Sequence, residues 1–181
     1  VTGRARVETE ALRKALGVEI GAPIFGVDLA DAQKSIGDLP DIKKVSVARC
    51  LPDRLIISLE ERTPAALWQN NKKISVIDKE GFLLSVDAAA WQELPLLVGA
   101  DAGLHAGEIL SLLEAEPGFS QKLEAVQRIG GRRWDLHLKN GIKVKLPEEN
   151  AGLALRRLME AEERKNILGR AIASIDMRQP D

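Results

Sequence analysis

Side chains that commonly do chemistry are sparse in this chain of 181 residues. Its two histidines are His105 and His137. His137 falls in a run of alternating residues with basic neighbours and no nucleophile beside it, a poor position for a general base. Cys50 is the single cysteine. Arg49 before it would lower a thiol pKa, but a cysteine at a strand end next to a turn reads more simply as a small packing residue. Glu60 and Glu61 are adjacent in a strand, so alternation points their carboxylates to opposite faces and they cannot share acid/base work. Asp28 and Asp31 fit helix capping, and no Cys or His pair has metal-ligand spacing. A phosphate-cradling glycine loop and a GxSxG elbow are both missing. The catalytic, cofactor and metal assignments are therefore none, and the chain reads as a binding protein.

Composition agrees with that class. Hydrophobic residues make up 45% and charged residues 29%, as in ordinary globular chains. The 26 Lys and Arg nearly cancel the 27 Asp and Glu, so no global field draws the chain to nucleic acid or a membrane surface. Charge is uneven only from Arg128 to Lys145, where Arg128, Arg132, Arg133, Lys139, Lys143 and Lys145 outnumber Asp135. An acidic peptide suits this basic face better than nucleic acid, because the chain has only three Trp, three Phe and no Tyr to stack bases. A solvated face kept charged against edge aggregation is the plain alternative. The most apolar stretch, Leu94 to Ala100, contains Pro95 and falls well short of the roughly 18 residues of a spanning helix. The chain opens on Val1, so a processed start and an absent anchor are both compatible with it.

The elements that would position any surface follow from periodicity. Thr9 is expected to cap a short helix with Leu12, Ala15 and Leu16 on one face, stopped by Gly17, and Asp28 a second with Leu29, Ala32 and Ile36 before Gly37. Beyond Pro40 the period falls to two: Val45 and Val47, then Leu55, Ile57 and Leu59, form a hairpin around Leu51-Pro52-Asp53. Thr63-Pro64 marks the boundary. A meander follows, with strands at Ala65 to Gln69, Ile74 to Ile77 and Phe82 to Ser85, then a short strand within Leu94 to Val98. A helix bearing Ile109, Leu112 and Leu113 ends at Pro117-Gly118.

The Asn140-Gly141 pair invites a two-residue loop, but that register mixes apolar and charged residues on both faces. A three-residue loop of Lys139, Asn140 and Gly141 pairs Leu138 with Ile142, Leu136 with Val144 and Trp134 with Leu146, with Gly141 left-handed. Arg133, Asp135, His137, Lys143 and Lys145 then form a solvated face. Asn150 is expected to cap a long helix with Ala151, Leu155, Leu158 and Met159 buried. The chain ends in a strand from Ala171 to Arg178, with Ile172 and Ser174 on one face and Ala173, Ile175 and Met177 on the other. Left uncovered, its edge would offer backbone groups to a partner strand, with Ser174 and Met177 as ladder donors.

Several runs together resemble the bacterial FtsQ/DivIB cell-division family. They are Val45-Ser46-Val47-Ala48-Arg49, Leu51-Pro52-Asp53-Arg54-Leu55-Ile56-Ile57, and Glu61-Arg62-Thr63-Pro64-Ala65 with Trp68. Val1-Thr2-Gly3, Gly21-Ala22-Pro23-Ile24-Phe25, Ile77-Asp78-Lys79-Glu80-Gly81, Arg132-Arg133-Trp134-Asp135-Leu136 and Ile175-Asp176-Met177-Arg178 follow in the family's order. The resemblance spans essentially the whole chain. It implies an α+β protein with a POTRA domain of two helices on a small sheet at residues 1–63. A mainly antiparallel β-sheet domain with a packed long helix would follow at residues 64–181.

The resemblance further implies a non-enzymatic divisome scaffold on the periplasmic side of the bacterial inner membrane. Its missing N-terminal helix would be the anchor, and the chain would stop at Pro180-Asp181 where the family usually continues. Partners would be the FtsB and FtsL type of small coiled-coil division protein, with other division proteins reached through the POTRA domain. FtsB would add a strand at Ile172, Ser174, Ile175, Asp176, Met177 and Arg178, with Arg132 or Arg133 meeting its acidic residues. The scaffold would help regulate septal peptidoglycan synthesis. A POTRA-bearing chaperone for strands of outer-membrane or secreted proteins is the alternative, although such proteins normally repeat the module or lead into a barrel.

Overall fold

The computed structural model describes residues 1–179; Pro180 and Asp181, where the chain was expected to stop short of its family, lie outside them. The chain divides into two compact units, Val1–Thr63 with Leu83–Ser85, and Pro64–Phe82 with the chain from Val86 onward.

In the first unit, helices α1 (Thr9–Leu16) and α2 (Leu29–Gly37) precede strands β1 (Ile42–Cys50) and β2 (Arg54–Glu61). The hairpin register sets Val45 opposite Leu59 and Val47 opposite Ile57, so one face is apolar. Leu12, Ala32 and Ile36 from the helices close that face into a core with Ile42, Val47, Ile57 and Leu59. Asp28 caps α2 as expected, accepting from the N–H groups of Ala30 at 2.8 Å and Asp31 at 3.1 Å. Thr9 does not cap α1: it is the first helical residue, and Glu8 precedes it with no side-chain capping bond. Cys50 is exposed, which removes the packing role expected of it.

The motif residues of this unit act as ties. Arg49 donates from Nε to the Ile24 carbonyl at 3.0 Å and from its terminal nitrogen to Val27, fastening the loop between the helices to β1. Thr2 lies along β2, donating its N–H to Ile57 at 2.9 Å and accepting from Leu59 at 3.1 Å. Gly3 makes this possible, because a Cβ there would sit 2.0 Å from the Leu59 carbonyl oxygen. Glu61 then gathers the incoming chain: its carboxylate accepts N–H bonds from Ala5 at 2.7 Å, Arg6 at 2.8 Å and Val7 at 3.0 Å. Burial pushes the Glu61 pKa up, but these three donors and the Arg6 charge outweigh it and hold the group below its ordinary value.

The second unit contains β3 (Ala66–Asn70), β4 (Lys73–Ile77), β5 (Leu96–Val98), α3 (Ala106–Ala115), α4 (Pro117–Ser120) and β6 (Leu123–Ile129). Strands β7 (Arg133–Leu138) and β8 (Lys143–Lys145), helix α5 (Ala151–Lys165) and strand β9 (Ser174–Asp176) complete it. Its sheet runs β4-β3-β5-β6-β7-β8-β9. One row of register partners crosses six strands on the same face: Trp68, Leu97, Val126, Leu136, Val144 and Ile175. Helices α3 and α5 cover this face through Ile109, Leu110 and Leu113, and through Ala151, Ala154, Leu155 and Leu158. They approach closely at Gly152, where a Cβ would stand 2.9 Å from a Leu112 methyl.

The three-residue hairpin forms as the apolar pattern requires. Leu138 donates its N–H to Ile142 at 2.9 Å, Leu136 pairs with Val144, and Leu146 donates to Trp134 at 3.0 Å. Gly141 is left-handed at φ 84°.

The expected α+β class is found; most paired residues of the sheet are antiparallel, in β3–β4, β6–β7 and β7–β8, while β3–β5, β5–β6 and β8–β9 are parallel and make it mixed. Other expectations are corrected. Phe82 to Ser85 is not a strand. The chain turns there on buried Asp78, whose carboxylate accepts from Glu80 and Phe82, both at 2.9 Å. Asn150 makes no side-chain cap and stands left-handed before α5 at φ 57°.

Replacing Glu61 by Gln should destabilise the chain by about 1–3 kcal/mol, because three backbone donors lose a charged acceptor that is itself buried. The sign with pH follows from the lowered pKa. The carboxylate's contribution is complete above its unfolded value, near 4.5, and is lost as pH falls through the folded value. Urea midpoints measured against pH should show an acid limb that is shallower in the variant; superimposable limbs would remove Glu61 as an anchor.

Candidate functional site

Strand β9 ends the sheet, and its outer side pairs with nothing among the described residues. Lys143 donates its N–H to the Ala173 carbonyl at 3.1 Å, and Met177 donates to the Lys145 carbonyl at 2.9 Å. Backbone groups alternate sides along a strand, so Ala173, Ile175 and Met177 face β8 while Ser174 and Asp176 direct N–H and C=O to the open edge. The expected donor at Met177 is therefore already used within the chain, and the outward donors are Ser174 and Asp176. The strand is also shorter than the expected run from Ala171 to Arg178, because only Ser174–Asp176 pairs with β8.

What holds β9 in place comes from its core face and from its entry. Ile175 and Met177 pack against the core beneath the sheet. The link from α5 is fixed at Leu168: its carbonyl accepts from the Asn140 side chain at 2.8 Å, and its N–H donates to Glu162 at 2.7 Å. Asn140 belongs to the hairpin loop, so the turn that sets the register also secures the approach to the edge.

The open face beside this edge carries a second row of register partners: Gln127, Asp135, Lys145 and Asp176. His137, Lys143 and Ser174 lie next to it in the same order. The face is less solvated than expected. Asp135 is only 4% exposed, with Arg133 Nε 3.5 Å from its carboxylate, and His137 Nε2 lies 3.1 Å from Gln127 Oε1. At the end of β9, Arg178 closes on Asp176, Nε donating to Oδ1 at 2.8 Å. That bond is the main cause holding the Asp176 carboxyl well below its usual range, at about 2. Beside it, Met177 and Arg178 face Leu153 and Arg157 of α5 across a cleft of about 560 Å³.

The expected basic face does not gather in one place. Arg128 turns to the core side, where its side chain is 5% exposed and its guanidinium lies 4.8 Å from the centroid of the Trp134 ring. Arg132 occupies the turn before β7, with Glu148 at 3.8 Å, and Lys139 donates to the Gln121 carbonyl at 2.9 Å. Arg133, Lys143 and Lys145 remain together on the face that leads to Ser174 and Asp176. Ile172 precedes the paired residues and is 37% exposed. Sequence reasoning had placed Lys143 and Lys145 on this face but not beside the terminal strand; the parallel pairing of β8 with β9 is what brings them there.

Comparison with known proteins shows the family. A family model described as "Cell division protein FtsQ/DivIB, C-terminal" matches residues 66–178, and one described as "POTRA domain, FtsQ-type" matches residues 1–62. The chain belongs to the FtsQ/DivIB family. It is 37% identical, over its whole length, to the "Cell division protein FtsQ" of Caulobacter vibrioides strain NA1000. It is 32% identical to the proteins of that name from Rickettsia felis and Agrobacterium fabrum, over 98% and 100% of the chain. The chain spans 60%, 67% and 57% of the lengths of these three FtsQ proteins. No helix among the described residues is long and apolar enough to cross a membrane.

The Asp176–Arg178 pair can be tested directly. In a carboxyl carbon NMR titration Asp176 should titrate near 2. Replacing Arg178 by Ala should move it up toward the ordinary value of 3.8. An unmoved Asp176 would mean that the arginine does not hold it.

Proposed function

We propose that this chain is a division scaffold that takes a strand from an FtsB-type partner along β9, with FtsL-type proteins carried in the same assembly. The observation that carries the reading is the pair of outward-facing residues, Ser174 and Asp176, at the end of a seven-stranded sheet. An added strand would meet two different environments because its side chains alternate. One set would lie beside Ser174 and Asp176, within reach of Lys143 and Lys145, and the other beside Ile175 and Met177. An acidic-and-apolar alternation fits both.

Arg133 is the arginine this reading favours over Arg132, since it stands on a strand of the same face. A strand added outside β9 would lie three strand spacings from β7, about 14 Å, a distance that an extended arginine and an extended glutamate together just span. Residues 64–181 would then be the partner-binding module, and residues 1–63 the POTRA module that recruits other division proteins. Placement outside the inner membrane, at the septum, and a part in controlling peptidoglycan synthesis complete the proposal. Such a scaffold works by positioning partners and needs no catalytic group.

A photocrosslinking probe at Ser174, in the membrane-anchored protein in cells, should capture a small coiled-coil division protein identified by mass spectrometry. Capture of nothing in a folded, dividing strain would move the working surface away from β9. Ser174→Pro removes an outward donor and should weaken partner binding about threefold to tenfold, the worth of one backbone hydrogen bond. Arg133→Glu should slow association and flatten its salt dependence. On-rates equal to wild type at low salt would exclude Arg133 from the encounter.

A further inference from the structure

A groove of about 770 Å³ opens in the second unit, between the loop before β5, the end of α3, α4 and the start of β6. Its size is in the range of sites that hold several side chains. Leu94, Pro95, Leu110, Leu113 and Leu123 give it an apolar floor. It lies where β5 is short: β5 begins only at Leu96, after Pro95, whereas β6 already begins at Leu123. In the sheet order β6 is three strands from β9, about 14 Å across the sheet, so this surface is separate from the open edge.

The charge around the floor is one-sided. Glu93, Glu114 and Glu124 line the groove against one basic residue, Lys139, whose ammonium is already bonded to the Gln121 carbonyl. Glu114 pairs with Lys79 at 2.6 Å, whereas Glu93 and Glu124 carry no ion pair among the described residues. Helix α3 adds to the same sign. Its last turn holds no basic residue, although the Leu113 carbonyl already accepts from the Glu116 N–H at 3.2 Å and the Ser120 hydroxyl at 2.7 Å, so the helix end adds only weakly to the negative field. A cationic group is favoured here chiefly by the side chains of Glu93 and Glu124.

We infer that this groove is a second docking site, for a polypeptide segment carrying apolar residues flanked by Lys or Arg. The apolar side chains cover the leucine and proline floor, and the basic ones meet Glu93 and Glu124. The site is opposite in charge preference to the β9 edge, so one segment does not satisfy both, and the scaffold can hold two different chains at once.

The test is selection of a displayed random-peptide library on the immobilised full chain. Enriched peptides should carry apolar residues bracketed by Lys or Arg. They should lose about tenfold in affinity to a Glu93→Lys, Glu124→Lys double variant whose circular dichroism is unchanged. They should bind the Ser174→Pro variant as they bind wild type. Absence of enrichment, enrichment with no basic preference, indifference to the double reversal, or loss on Ser174→Pro would each overturn the assignment. The last outcome would place the peptides on the β9 edge.

Discussion

The second unit depends on strict alternation held in register across a mixed sheet. A strand turns its side chains to opposite faces and its backbone groups to opposite edges with the same period of two. Once Trp68, Leu97, Val126, Leu136, Val144 and Ile175 are aligned on the helix-covered face, the polar row from Gln127 to Asp176 is fixed on the other. The outward direction of the Ser174 and Asp176 backbone follows from the same choice. A slip of one residue anywhere in the row would expose core residues and bury charges together. Register is therefore costly to change, and the hairpin at Gly141 sets it between β7 and β8, the strand on which β9 is paired.

Several polar side chains in this molecule fasten one backbone segment to another. Glu61 holds the entering N-terminal segment, Arg49 holds the loop between the first two helices, and Glu162 with Asn140 holds the approach to β9. Each uses an ionised or amide side chain to satisfy backbone groups that no strand or helix satisfies, as buried backbone polar groups require. This explains why residues that stand out in the sequence motifs do not converge on a reaction centre. Glu61 and Arg49 each fasten a loop or entering segment to a strand, and a strong motif can mark an anchor as readily as an active site.

How much of this was legible depended on range. The Asp28 cap, the β1–β2 hairpin and the three-residue loop at Gly141 involve neighbours in sequence, and local pattern placed them correctly. The family motifs carried the POTRA module and the family assignment. The parallel pairings could not be read, because their partners are separated by long connections and parallel strands leave no turn signature. The strand expected at Phe82 to Ser85 failed because Asp78 satisfies that backbone with its own carboxylate, a preference that competes with strand pairing. Arg128 was assigned to the wrong side because charge was read as exposure. Its guanidinium instead lies on Trp134, where an aromatic face can receive a cation.

The brevity of β9 bears on what an edge of this kind can be. A long flat edge would invite any passing strand, and short edge strands with charged neighbours are how proteins limit that hazard. Here three residues pair with β8, and the outward groups of two of them are flanked by Lys143, Lys145 and the Asp176–Arg178 pair. Such an edge gives little affinity through the main chain alone, so a partner must add side-chain contacts to remain bound. Those contacts discriminate: an acidic residue gains from the lysines, whereas a basic one meets like charge across the strand. Were a strand to add here, selectivity would come from the row of charges, and the open backbone would supply geometry that any strand could use.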